Sequence, residues 1–527
     1  MKKLFVVFGC LTSLLSFSQD IDVQHYRFEI SLSDTSHWIH GKATIQFKAI
    51  RNIKSVVFDF PDLIKPNDLR TTGVYQGTRD DNRCTIKVGK SKLTILLQDS
   101  LKAGDRAQLT IFYMGVPTDG LIISKNRYGD KTYFADNWPN RAHYWIPCKD
   151  RPDDKASFEF IVTAPTQYKV ISNGVKIEEK NLGNGKTITH WKEDTPLPTK
   201  VMVIGVAKFA VKSFPDSPPN IPVTAWVYEQ DSSKGFHDYA PAPKILKFFS
   251  SYIAPYPYEK LANVQSKTIF GGMENASAIF YSENSVTGKG GVEDLLAHEI
   301  AHQWFGDMAS EKSFTHLWLS EGFATYFTDI FWQHKYGDEA FKKRLQKERD
   351  AVIQFVKTTD HPVVDSLSPY MDLLNPNSYQ KGAWILHMLR NEVGDSVFHQ
   401  IIQTYYQQYK GSNADTRDFE AVAEKVCGKD LKSFFDQWLY RPGIPKLNAR
   451  WKTDGNKIKV EIKQTGSQIF QLPLEIGIIS SNGQMIVQKL SIKSKEEEFN
   501  IESFSHPVKL VLDPNTNLLY EGTVSSK

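Results

Sequence analysis

Cysteine is scarce in this chain: Cys10, Cys84, Cys148 and Cys427 are the only four in 527 residues. Thiols so scattered make no disulfide framework, and no two stand at zinc-ligand spacing, so Cys84, Cys148 and Cys427 each read as a buried free thiol and stability has to come from hydrophobic cores. Long apolar runs are missing beyond residue 15, which leaves no stretch able to cross a bilayer as a helix. An excess of one charge is missing too: 64 Lys and Arg face 60 Asp and Glu, a formal net charge of +4. That balance points to neither nucleic acid nor an anionic membrane as a partner. There is no internal repeat and no low-complexity tail.

What is present describes a globular protein, 41% hydrophobic and 12% aromatic, and too long for one ordinary core. Met1-Lys2-Lys3, the apolar run Leu4 to Leu15 and the small residues around Ser16-Phe17-Ser18 read as a signal peptide over 1–18. An exported protein, periplasmic or extracellular, is therefore expected. Residues 19–212 alternate apolar and polar positions, as in His25 to Leu32 and Ala43 to Ile50, and read as an antiparallel β domain. Pro215, Pro218, Pro219 and Pro222 mark a boundary, and 213–442 is mostly of helical period. Arg441-Pro-Gly-Ile-Pro445 ends it, and 443–527 returns to alternation as a small β-sandwich. The expected class is multidomain α+β.

The chemistry gathers at His298-Glu299-Ile300-Ala301-His302. The run Glu293 to Met308 reads as a helix, and residues four apart on a helix share a face, so both imidazoles can hold one metal ion. Glu299 is placed to work on a metal-bound water. After 18 further residues comes Glu321, on a second helical run starting near Leu317. Two His and one carboxylate leave a fourth position open, the pattern of a catalytic zinc. Gly271-Gly272-Met273-Glu274-Asn275 lies in or beside a strand, where glycines let a peptide approach the backbone. Glu274 there can hold a peptide's free ammonium. Tyr379, at the start of a helix, can hydrogen-bond an oxyanion. Each feature alone also fits an ordinary helix, loop or packing residue.

Together these motifs resemble the aminopeptidase N and leukotriene-hydrolase family of zinc metallopeptidases. Gly271 to Asn275 matches that family's exopeptidase signature, and His298 to Asp307 (HEIAHQWFGD) with Glu321 in WLSEGFA matches its zinc signature. Tyr379 in YQKGA matches its catalytic tyrosine. Weaker matches at Leu101 to Asp105, Gly115 to Gly120 and Trp438 to Leu447 extend the resemblance over nearly the whole chain. The resemblance implies an N-terminal β domain, a thermolysin-like catalytic domain and a β-sandwich. It implies one Zn2+ on His298, His302 and Glu321, with Glu299 as general base and Tyr379 on the tetrahedral intermediate. Glu274 would bind the α-amino group, and Gly271, Gly272, Met273 and Asn275 would align the peptide.

Two departures stand out. The family's second amine anchor, upstream of Pro147-Cys148-Lys149-Asp150, is replaced by Trp138, with Asp136 or Asn137 as substitutes after a register shift. The helical domain that follows the small β domain in larger members is not in this sequence, so a more open site is expected. The implied activity is removal of N-terminal residues from peptides with a free N-terminus. Rival readings are a zinc endopeptidase, a bifunctional aminopeptidase and epoxide hydrolase, and an inactive peptide-binding protein.

Overall fold

The computed structural model describes residues 20–61, 70–76, 84–454, 457–502 and 507–526. The expected leader over 1–18 lies outside the described residues. Among them, no helix is long and apolar enough to cross a membrane.

The N-terminal β domain is built on Ile21–Ser31, whose inward residues Tyr26, Phe28 and Ile30 are buried. This strand lies inside a seven-stranded sheet, antiparallel to Ile39–Ala49 on one side and parallel to Lys155–Pro165 on the other. The sheet is thus mainly antiparallel, with one parallel pairing. Alternation fixes which face a residue takes but carries no information on the direction of a distant partner. Smaller sheets of four and three strands complete this domain.

The second unit begins with a five-stranded sheet. Its strand Phe209–Ser213 pairs antiparallel with Val223–Tyr228 across the proline-rich segment. The expected boundary at 212/213 therefore falls at the end of a strand of this sheet, and the prolines connect two of its strands. Leu261–Ser266 and Ala278–Ser282 follow in parallel, and the short strand Gly272–Met273 forms the outer edge. Helices cover the rest: Glu293–His302, Trp318–Tyr336, Asp338–Phe355, Gly382–Val393, Asp395–Tyr409, Thr416–Cys427 and Lys432–Leu439. The first ends at His302, six residues short of the expected Met308. Beyond it the chain turns at Gly306, at φ +117, a conformation that suits only glycine, and Trp304 and Phe305 enter the core from this turn.

The C-terminal domain has two sheets, of four and three strands. Ile458, Val460 and Ile462 from one and Leu474, Ile476 and Ile478 from the other are buried. It docks on the helices through polar contacts. Arg349 Nη2 lies 2.5 Å from Asp513 Oδ2. His387 bridges the two units, with Nε2 2.9 Å from the Thr516 carbonyl oxygen and Nδ1 3.0 Å from the Tyr326 hydroxyl.

His387 is buried as the neutral ring, and burial, helped by Arg390 and Arg349, lowers its pKa from 6.5 to about 3. Its folded pKa is depressed, so its contribution is complete above about pH 6.5 and is lost as pH falls toward 3. By pH 5 this amounts to about 2 kcal/mol. Urea unfolding of His387→Gln should show a smaller loss of stability between pH 7 and pH 5 than the parent; equal losses contradict the assignment.

Candidate active site

The site depends on how closely two helices cross. Gly322, next to Glu321, faces Gly382, three residues after Tyr379. A Cβ on Gly322 would sit 2.8 Å from the Gly382 Cα. Side chains there would force the helices apart, so the glycines of WLSEGFA and YQKGA bring Glu321 and Tyr379 to one place. Tyr379 itself lies in a π-helical turn, Asn377–Lys381, that leads into the helix Gly382–Val393. Its ring stacks on His298, with centroids 5.9 Å apart.

Three donors converge here. His298 Nε2 and His302 Nε2 are 3.1 Å apart. Glu321 Oε2 is 3.3 Å from the first and 3.2 Å from the second. A tetrahedral ion with ligand bonds of about 2 Å spaces its donors by about 3.3 Å. His302 Nδ1 is 3.1 Å from the Phe305 carbonyl oxygen and 3.1 Å from Ser320 Oγ. The Phe305 carbonyl accepts a hydrogen bond from Nδ1–H, so the neutral ring turns its Nε2 lone pair toward His298 and Glu321. The three ligand atoms are placed to hold one cation in common, and a set of two imidazoles and a carboxylate fits zinc. A second trio, Glu274, Glu299 and His302, also brings its ligand atoms within 4.8 Å, and by sharing His302 it belongs to the same site.

The electrostatics agree. Burial, together with Glu274 and Glu321, pushes the Glu299 carboxyl well above the usual range, although His302 opposes this. Burial alone would lower His302, but Glu321 and Glu274 raise it to about 10. Burial and the nearby carboxylates also push the Tyr379 phenol well above 10, so it stays a hydrogen-bond donor. Three buried carboxylates around two imidazoles form an electronegative cage that a divalent cation neutralises.

A cavity of about 310 Å3 opens onto these groups. Gly271, Gly272, Met273, Glu274, His298, Glu299, Glu321 and Tyr379 all reach its wall. His302 is buried just behind it. A Cβ on Gly272 would come 2.2 Å from Glu299 Oε1, so a side chain there would displace the Glu299 carboxylate. Glu274 is 5% exposed, and its Oε1 has no hydrogen-bond partner among the described residues. An unpaired buried carboxylate oxygen on a cavity wall is an acceptor waiting for a ligand.

Asn275 departs from expectation. It is fully buried and does not line the cavity, because its backbone turns into the Ala278–Ser282 strand. Neither Asp136 nor Asn137 is free to act as a second amine anchor. Asp136 accepts from Arg141, Thr268 and the Ile269 amide. Asn137 donates to the Thr199 and Met202 carbonyl oxygens and accepts from Trp145. Trp138 does line the cavity, packed edge-on against Phe270 and Phe314.

Sequence reading missed Gln303. Its side chain donates to the Glu274 carbonyl oxygen and to Asp307, and accepts from the Ser277 amide, so it ties the Glu274 segment to the metal helix. The signal was its place directly after His302. Leu295, Leu374 and Phe270 complete the wall and carry no motif.

Comparison with known proteins gives a consistent result. The model of the peptidase M1 N-terminal domain matches residues 22–201, and that of the peptidase family M1 domain matches residues 238–438. A probable aminopeptidase 2 from Sulfurisphaera tokodaii is 30% identical over 71% of this chain and 49% of its own length. A leucyl aminopeptidase from Saccharolobus solfataricus is 27% identical over 78% of this chain and 53% of its own. A crystal structure of Legionella pneumophila aminopeptidase A, in complex with aspartic acid, shares the fold at TM-score 0.83 and 18% identity, over 96% of this chain and 60% of that one. The chain spans about half the length of the curated relatives it matches.

Elemental analysis of the purified protein is expected to find one zinc per chain. Glu321→Ala should weaken zinc binding by more than the roughly 10- to 100-fold typical of losing an outer-shell partner. Full occupancy in that variant at equal free zinc contradicts the ligand set. Gly322→Ala should cost about 1–3 kcal/mol in thermal or urea unfolding, because the helices must separate.

Proposed function

For a chain that belongs to peptidase family M1, we propose the activity of a zinc aminopeptidase, which hydrolyses the first peptide bond of peptides with a free N-terminus. The observation that carries this is Glu274, a buried carboxylate with an unpaired oxygen beside the candidate zinc ligands. A peptide ammonium satisfies that oxygen, and an internal peptide bond offers no such charge.

His298, His302 and Glu321 would hold the zinc, which when bound polarises a carbonyl and acidifies water. The peptide lies along the free edge of Gly272–Met273, and Glu274 takes its ammonium. Glu299, held against Gly272, accepts a proton from the attacking water and delivers it to the leaving amine nitrogen. The Tyr379 phenol donates a hydrogen bond to the oxygen that becomes negative as the carbonyl turns tetrahedral. Trp138, Phe270, Met273 and Leu374 give the first side chain an apolar surround. Residues 1–18 would direct export.

Glu299→Gln should reduce kcat by about 10²- to 10⁴-fold on an alanyl-coumarin substrate with zinc content unchanged. Activity near that of the parent sinks the assigned role. Glu274→Gln keeps the shape and removes the charge. Its main effect should be a KM raised by about ten-fold or more, the scale of a charged hydrogen bond. An unchanged KM would remove Glu274 from the amine site.

A further inference from the structure

A second cavity, of about 400 Å3, lies between the helices Glu293–His302, Trp318–Tyr336 and Asp338–Phe355. It shares Leu295, His298 and Tyr379 with the first cavity, but Glu274, Gly271 and Gly272 do not reach it. If the peptide amine sits on Glu274, the chain runs past His298 and Tyr379 and its leaving half enters this second space.

The charges there are unevenly committed. Arg344 donates Nε to Asp329 at 2.6 Å and Nη1 to Asp294 at 2.5 Å, so both of those carboxylates are paired. Thr325 and Thr328 donate their hydroxyls to carbonyl oxygens of their own helix. Glu348 is 8% exposed, and its carboxyl hydrogen-bonds Asp329. Burial, with Asp329 beside it, pushes that carboxyl well above the usual range, so it is held as the neutral acid and its O–H is donated to Asp329 rather than to the cavity. Lys347 lines the cavity from its exposed rim and makes no hydrogen bond or ion pair among the described residues. The uncommitted charged group facing this space is the Lys347 ammonium, which favours an anion.

We propose that this cavity binds the part of the peptide after the scissile bond and selects a carboxylate there, with Lys347 as the specificity-determining residue. The inference rests on the aminopeptidase reading. The carboxylate has two sources: an Asp or Glu side chain at the second residue, or the free C-terminus of a dipeptide.

Two substrate pairs separate them. Ala-Glu-Ala-amide against Ala-Gln-Ala-amide reads the side chain, and Ala-Ala against Ala-Ala-amide reads the terminus. In the parent protein at least one pair should favour the acid in kcat/KM by about two- to fivefold, the scale of a solvent-accessible ion pair. That preference should disappear in Lys347→Gln, reverse in Lys347→Glu, and shrink in 0.5 M salt by about the same factor. Lys343→Gln, on the same helix but off the cavity wall, should leave it in place. Ratios near one in both pairs, ratios untouched by Lys347→Gln, or a preference for Ala-Lys-Ala-amide over the Glu peptide would overturn the proposal. Hydrolysis of alanyl-coumarin by the parent keeps the two readings apart. Its absence counts against the aminopeptidase assignment, and its presence without acid selectivity counts against the subsite.

Discussion

The contact between Gly322 and Gly382 governs the geometry of this protein's centre. Two helices approach so closely that one methyl group would collide with backbone. The approach sets Glu321 beside two imidazoles and Tyr379 against His298. Close-packed interiors do not yield gradually, so the site forms with this crossing or not at all. The same logic applies at Gly272, where the absence of a side chain lets Glu299 press against the edge strand.

A second constraint is the placement of buried charge across the N-terminal domain. Asp136 ties Arg141 to Thr268 and to the Ile269 amide, which holds the segment leading into Gly271. Lys200 of the N-terminal domain pairs with Glu311 of the catalytic unit at 2.6 Å, with both side chains at most 1% exposed. Breaking such a pair leaves an uncompensated buried charge, so its strongest effect is to fix how the two units meet. The N-terminal domain thereby supplies a wall of the cavity, through Trp138, and also the tether of the edge strand that faces the peptide.

Much of this was legible in the sequence because the chemistry is local. His298, Glu299 and His302 sit on one helical face, and the fixed spacing of a helix decides their geometry. Glu321, Tyr379 and Glu274 were recognisable through short motifs, and the structure brings all three to one cavity. The alternating strands of the C-terminal domain were equally plain. What escaped depends on tertiary contacts. The helix end at His302 is set by a turn at Gly306. Asn275 was read as a peptide contact and turns inward, because the backbone direction after Glu274 is decided by its neighbour strand. Asp136 and Asn137 were open to either role until their partners were visible. The second cavity joins three helices, and Lys347 on an exposed helix face carries no local sign of what it borders.

The central claim is that Glu274 confines cleavage to the first peptide bond. The most direct test is mass spectrometry of an eight-residue peptide during digestion by the zinc-loaded protein, beside the same peptide with an acetylated N-terminus. The account predicts a ladder of fragments shortened one residue at a time from the N-terminus, and no cleavage of the acetylated peptide. Internal cuts, or equal cleavage of both peptides, would contradict it.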